Sequence, residues 1–228
     1  MKQCAVVPLS HSEDVDAATT PVAGEAPLVR VVRSVLGAVS EGDVVVSTLP
    51  AMAAAVRGCL GAAGLATAVA VTRGPGSRRQ VIRAGLEHLD VQPHDSASVL
   101  ICDHRYPLSS SVVAAGVLAA LASGVDAVVP VLAVTDTVKT VDESGSVLST
   151  VDRATLRTVQ YPRGFSASAL WQLVSELPAT GMDRLDEFDA ALRAGLDVGV
   201  VDGDPGAVQV ELPRDAHLLE AVIAGRSD

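Results

Sequence analysis

Aromatic side chains are scarce in this chain of 228 residues: one tryptophan, two tyrosines and two phenylalanines, 2% of the total. A core without rings has to be assembled from alanine, valine and leucine, and a hydrophobic content of 49% supplies them. Cysteine is confined to Cys4, Cys59 and Cys102, an odd number at wide spacing that suits neither a disulfide framework nor a zinc knuckle. Buried free thiols are expected instead. No apolar run approaches the roughly 20 residues of a membrane helix, and the start "MKQCAVVPLS" has no long apolar stretch before a cleavage site. The chain therefore reads as cytoplasmic. Positive charge is short as well: 17 Lys and Arg against 27 Asp and Glu, a net charge of −10. This argues against a general nucleic-acid surface, which needs clustered cations on phosphates. No Ser, His and Asp set with a nucleophile elbow appears, which argues against hydrolase chemistry.

What is present is alternation. Valine-rich runs ("CAVVPL", "DVVVSTL", "ATAVAVT", "ASVLICD", "DAVVPVL") alternate with Ala- and Leu-rich helical segments, which predicts an α/β fold with a mostly parallel sheet and helices on both faces. In "PLVRVVRSVLGAV", Leu28, Val31, Val32, Val35 and Leu36 fall on one helical face. "SSSVVAAGVLAALASG" reads as a helix capped by a leading serine and closed by Gly124. The segment 135–160 breaks the rhythm, alternating in the β manner about "ESGS", and reads as a projecting hairpin arm. Beyond it, "GFSASALWQLVSEL" and "LDEFDAALRAGL" read as helices, "DVGVVDGD" and "AVQVEL" as strands, and "PRDAHLLEAVIAG" as a closing helix with Pro213 in its first turn. The whole, 1–228, is expected to be one domain.

Asp103 follows an apolar strand directly, and in open parallel sheets ligands sit outside the carboxyl ends of the strands. It is the best candidate for catalysis or a metal ion, the alternative being a turn cap. Cys102 and His104 flank it, but adjacent strand residues point to opposite faces, which disfavours a three-ligand metal site; Arg105 can share its crevice. The loop "GPGSRR", with Gly74, Gly76 and Arg78, precedes a helix and suits an anion on its amides, or else is a solvated loop. Thr137 and Arg153 at the arm suit a phosphate, as arginine suits bidentate contact; both also fit a solvated surface. The acidic run "DRLDEFD" reads as a solvated helix start that complements the helix dipole.

The ordered set "GPGSRRQVIRAGL", "SVLICDHRYPL", "DAVVPVLAVTDTVKTVDESGSVLSTVDRATLRTVQYPRGF" and "VVDGDPGAVQVELPRD" resembles the 2-C-methyl-D-erythritol 4-phosphate cytidylyltransferase family of isoprenoid biosynthesis, most strongly from Asp126 to Phe165. The resemblance implies a Rossmann-like, GT-A-like nucleotidyltransferase sheet, a homodimer joined through exchanged arms, and transfer from CTP to a sugar-alcohol phosphate with release of pyrophosphate. It implies that Asp103 stands near ribose, Mg and the reacting phosphate. Thr137 and a partner's Arg153 would hold the methylerythritol phosphate, and the loop of Gly74, Gly76 and Arg78 would read the cytosine.

The departures are concentrated where the family holds triphosphate. Its first loop resembles "PAAGxGxRxxxxxPK"; here the region is "PLSHSEDVDAATTPV", with no cation, with Glu13, Asp14 and Asp16, and with Val22 at the lysine position. A second lysine falls at Gln209, a serine at Val81 and a threonine at Tyr161, and the arginine after the aspartate is displaced to Arg105. Three readings follow: a family member with weak or lost transfer, a non-catalytic dimeric binding or regulatory subunit, and a nucleotidyltransferase of changed substrate using Mg at Asp103 and a first-loop acid.

Overall fold

The computed structural model describes residues 1–73, 76–175 and 186–226, without the side chains of Ser12 and Glu13. Its elements run β1 (Lys2–Leu9), α1 (Ser12–Thr19), α2 (Pro27–Leu36), β2 (Val44–Thr48), α3 (Ala53–Ala62), β3 (Ala68–Val71), α4 (Arg78–His88), β4 (Ala97–Ile101), α5 (Ser111–Leu121) and β5 (Ala127–Ala133). They continue with β6 (Lys139–Val141), β7 (Val147–Thr150), β8 (Arg157–Val159), β9 (Arg163–Ser166), α6 (Ala167–Ser175), α7 (Glu187–Arg193), β10 (Val198–Asp202) and α8 (Ala216–Arg226).

The sheet order is β10-β5-β9-β4-β1-β2-β3, with β8 beside β5. β1 is parallel to β2 and β4, β2 to β3, and β5 to β10; β9 lies antiparallel between β4 and β5. The alternation of β1 splits the core in two. Ala5, Val7 and Leu9 face the side covered by α1, α2, α3 and α5, whereas Cys4 and Val6 face the side of α4 and α6. Both faces of a parallel sheet must be covered, and small aliphatic side chains do so here. The helix of Pro27–Leu36 buries Leu28, Val31, Val32 and Val35, in line with its sequence pattern. Ser110 caps α5, its side chain accepting from the Val113 N–H, and Gly124 follows at φ +99. Cys4 and Cys102 are buried free thiols, whereas Cys59 is free but only half-buried.

Four local expectations are revised. Residues 12–19, read as a loop, form α1. Arg163–Ser166 is a strand and not the start of α6, because Phe165 packs between β4 and β5 and its backbone completes both ladders. "AVQVEL" joins no ladder: the Val210 N–H goes to the Arg105 carbonyl at 2.9 Å, so the segment packs as a single irregular strap. Pro213 precedes α8 in a turn rather than lying within it. The arm does form a hairpin, β6 with β7, and Val141, Val147 and Leu148 on it are exposed.

Candidate active site

The strand order reverses at β1, from which the chain proceeds through β2 to β3 on one side and reaches β4 on the other. A crevice at such a switch point, outside the carboxyl ends, is where open α/β sheets bind ligands. Two segments follow the carboxyl ends there, Ser10–Asp14 after β1 and Cys102–Arg105 after β4; the strands that carry them are tied by the Cys102 N–H to the Val6 carbonyl at 3.0 Å, and the Asp14 charge reaches the His104 imidazole.

On the β1 side there is no glycine cradle. The Asp14 carboxylate accepts the backbone N–H groups of Ser10 at 3.1 Å and His11 at 2.8 Å. Amides at a helix start are natural anion donors, and in this chain its own carboxylate takes them. The nearby position Val22 is 7% exposed and belongs to an apolar cluster with Leu108, Val210 and Leu219, the last of these from α8. Gln209 is a neutral amide, its oxygen accepting from the Tyr106 hydroxyl at 3.0 Å and its Nε2 donating to Glu211 at 3.1 Å.

On the β4 side Asp103 is buried and saturated. Its Oδ1 accepts the Arg105 N–H at 2.9 Å, and its Oδ2 accepts Arg105 Nη2 at 2.7 Å. Burial alone would raise this carboxyl, but the Arg105 hydrogen bonds and charge, with Arg78 behind them, hold it well below the usual carboxylate range. Burial pushes the neighbouring Cys102 thiol up to about 12, with Asp103 adding to the effect, and pushes the His104 imidazole down. Neither is a nucleophile or cation ready for use. A depressed carboxylate contributes stability that is present above its unfolded pKa of about 3.9 and is lost as pH falls through the folded value. Asp103→Asn should therefore flatten the fall in urea midpoint between pH 5 and 2; an unchanged acid limb would mean that the pair carries none of it.

Of the remaining candidates, Arg78 reaches Asp103 through its charge alone. Arg78 is bound to Glu187, Nε to Oε1 at 2.6 Å, with Glu187 only 5% exposed. This corrects the reading of "DRLDEFD" as solvated at Glu187: Asp186 caps α7, accepting from the Asp189 N–H at 2.9 Å, while Glu187 turns inward. Residues 183–185 of that run lie outside the described residues, as does Gly74. Gly76 is present at φ +83, in contact range of Leu49, a left-handed conformation suited to glycine. Thr137 and Arg153 are exposed on the arm, Arg153 donating to the Thr135 carbonyl. No hydrogen bond or ion pair joins either to Asp103 among the described residues.

Arg163 is a residue of this region that the sequence did not single out. It is buried, stacks over the Tyr161 ring at 4.1 Å, and binds Asp186 at 2.5 Å. Arg78–Glu187 and Arg163–Asp186 thus link α4 and β9 to α7 behind the crevice. An arginine beside "QYP" was the only signal for it, and pairing across 23 residues is not visible in a local pattern.

The strand order, the helices on both faces and the switch-point crevice define a Rossmann-like, mostly parallel α/β protein. The family model for "IspD: 2-C-methyl-D-erythritol 4-phosphate cytidylyltransferase" matches residues 11–225. A protein of that description from Saccharopolyspora erythraea is 37% identical over 207 residues, 91% of this chain and 90% of the relative. The chain belongs to this cytidylyltransferase family. The cytidylyltransferase structure from Thermus thermophilus superposes with a TM-score of 0.72 at 27% identity, covering 98% of this chain and all of that one. A synthase structure from Anaerococcus prevotii, at 18% identity and a TM-score of 0.75 over 98% of each chain, shares the fold. No helix among the described residues is long and apolar enough to cross a membrane.

Proposed function

We propose that this chain is a dimeric cytidylyltransferase-family protein in which transfer from CTP to methylerythritol phosphate is weakened or lost. The support lies at the two family lysine positions: Val22 is buried in an apolar cluster, and Gln209 is a neutral amide held by Tyr106 and Glu211. Phosphoryl transfer depends on positioned positive charge at the developing anion. One lost donor of this kind costs about 2.7–4 kcal/mol, or ~10²–10³ in rate. With CTP, methylerythritol phosphate and magnesium, pyrophosphate release is expected below about 0.1 s⁻¹, against a median enzyme near 10 s⁻¹. Turnover in the ordinary range of roughly 1–10³ s⁻¹ would refute the reading.

Magnesium chemistry does not fit a site made by the chain alone. Among the described residues no group of three or more His, Cys, Asp or Glu is placed to hold a metal ion, and both Asp103 oxygens are on Arg105. Mg would have to arrive on the phosphates of a nucleotide, which places the changed-substrate reading third.

The second reading, a binding or regulatory dimer, is favoured by the arm. Val141, Val147 and Leu148 are more than half exposed, an apolar surface suited to a second copy of the chain. On this reading Thr137 and the partner's phosphate-binding arginine meet only in the dimer. Calorimetric binding of methylerythritol phosphate without turnover would favour it, and a monomer in solution that binds neither phosphate substrate would remove its basis.

A further inference from the structure

β3 ends the sheet, so no strand among the described residues covers its outer edge. The Thr72 N–H points inward, to the Thr48 carbonyl at 3.0 Å, and strand alternation then turns the amides of Val69 and Val71 outward. Along this edge runs a groove of about 740 Å³ between β3, α4 and Arg57 of α3. That volume lies within the roughly 300–1,000 Å³ of small-molecule sites. It stands three strands from β4, roughly 14 Å across the sheet from the Asp103 strand.

The groove's charge is opposite to that of the molecule. In a chain of net charge −10, three arginines, Arg57, Arg73 and Arg83, line it with a single carboxylate, Glu87. Glu87 is already neutralised: Arg83 Nε donates to it at 2.8 Å and lies over the Trp171 ring at 5.8 Å. Arg57 and Arg73 are exposed, and neither has a hydrogen-bond or ion-pair partner among the described residues. Two guanidinium groups on different walls, beside outward backbone amides, suit two linked anionic groups better than one, and guanidinium geometry matches phosphate oxygens bidentately.

We propose that this groove is a second ligand site, which holds a small di- or polyphosphate between Arg57 and Arg73. It is separate from the crevice at Asp103. Each arginine offers charge-assisted hydrogen bonds, so loss of either should weaken binding about tenfold or more.

The test is titration of the full chain with pyrophosphate and with inorganic phosphate, followed by calorimetry and backbone amide NMR. Expected are tighter binding of pyrophosphate and amide shifts centred on Val69, Val71 and Arg73. The R57A/R73A variant should bind about a hundredfold more weakly or worse at an unchanged melting temperature, since neither side chain supports the fold. Shifts centred instead on Ser10, His11 and Asp103, or equal affinity in the variant, would overturn the proposal. So would failure of either anion to bind, or binding of an acidic peptide that pyrophosphate cannot displace, which would assign the edge to strand addition by a protein. None of these readouts depends on whether cytidylyl transfer occurs.

Discussion

Glu187→Ala should cost about 3–5 kcal/mol of folding stability, the typical consequence of removing one partner from a buried ion pair. The Glu187 side chain is 3% exposed and that of Arg78 19%, with Nε and Oε1 2.6 Å apart. Burial would by itself lower the Arg78 pKa, but Glu187 more than compensates and keeps the guanidinium protonated. Without Glu187 the buried charge loses its hydrogen-bonded partner and keeps only the field of Asp103. The pair also bridges α4 to α7, elements more than a hundred positions apart in the chain. Urea unfolding measures the cost. The paired replacement Arg78→Met with Glu187→Leu should recover most of it, because removing both charges removes the desolvation penalty as well. A loss under about 1 kcal/mol for the single variant would show that Arg78 reaches water when freed.

Phe165→Ala should be comparably severe, about 3–5 kcal/mol. Phe165 is fully buried and the largest such side chain among the described residues, within β9 opposite Val99 of β4 and Ala127 of β5. The scarcity of aromatics matters at this point. Its cluster includes Ala97, Ala127 and Ala167, short side chains that cannot extend into the space left by a ring, so the cavity would persist. Total stability of a protein is about 5–15 kcal/mol, and this one variant would consume a large part of it. Phe165→Leu should cost much less, under roughly 1.5 kcal/mol, since it retains most of the volume. Equal losses for both variants would point to backbone disruption rather than a cavity.

The parts of the molecule legible in the sequence share a physical reason. Each buried parallel strand is a continuous run of β-branched and aliphatic residues, and Asp103 terminates such a run, so its place at the crevice could be read directly. The arm was legible because alternation and "ESGS" are local signals. Helix α1 was not: its cap position is His11, which is none of the Ser, Thr, Asp or Asn that mark most helix starts, and the amide of His11 is satisfied from within by Asp14. Glu187 was missed because a carboxylate in an acidic run is ordinarily solvated, and only a cation distant in sequence justifies its burial. Arg163–Ser166 was missed because a four-residue strand leading straight into a helix leaves no punctuation between them. The altered phosphate region was legible as a change of residues, though not its physical form, an apolar cluster closed by α8.

The position of β1 has a consequence for how the chain is made. This strand is flanked by β2 and β4, so although its residues leave the ribosome before those of either neighbour, their second ladder waits for Ile101, the partner of Val6. At roughly 5–20 residues per second that interval is about 5–20 s. For that time "CAVVPL" has an open edge in a crowded cell, and a chaperone that holds extended apolar segments would meet it there before its own β4 does.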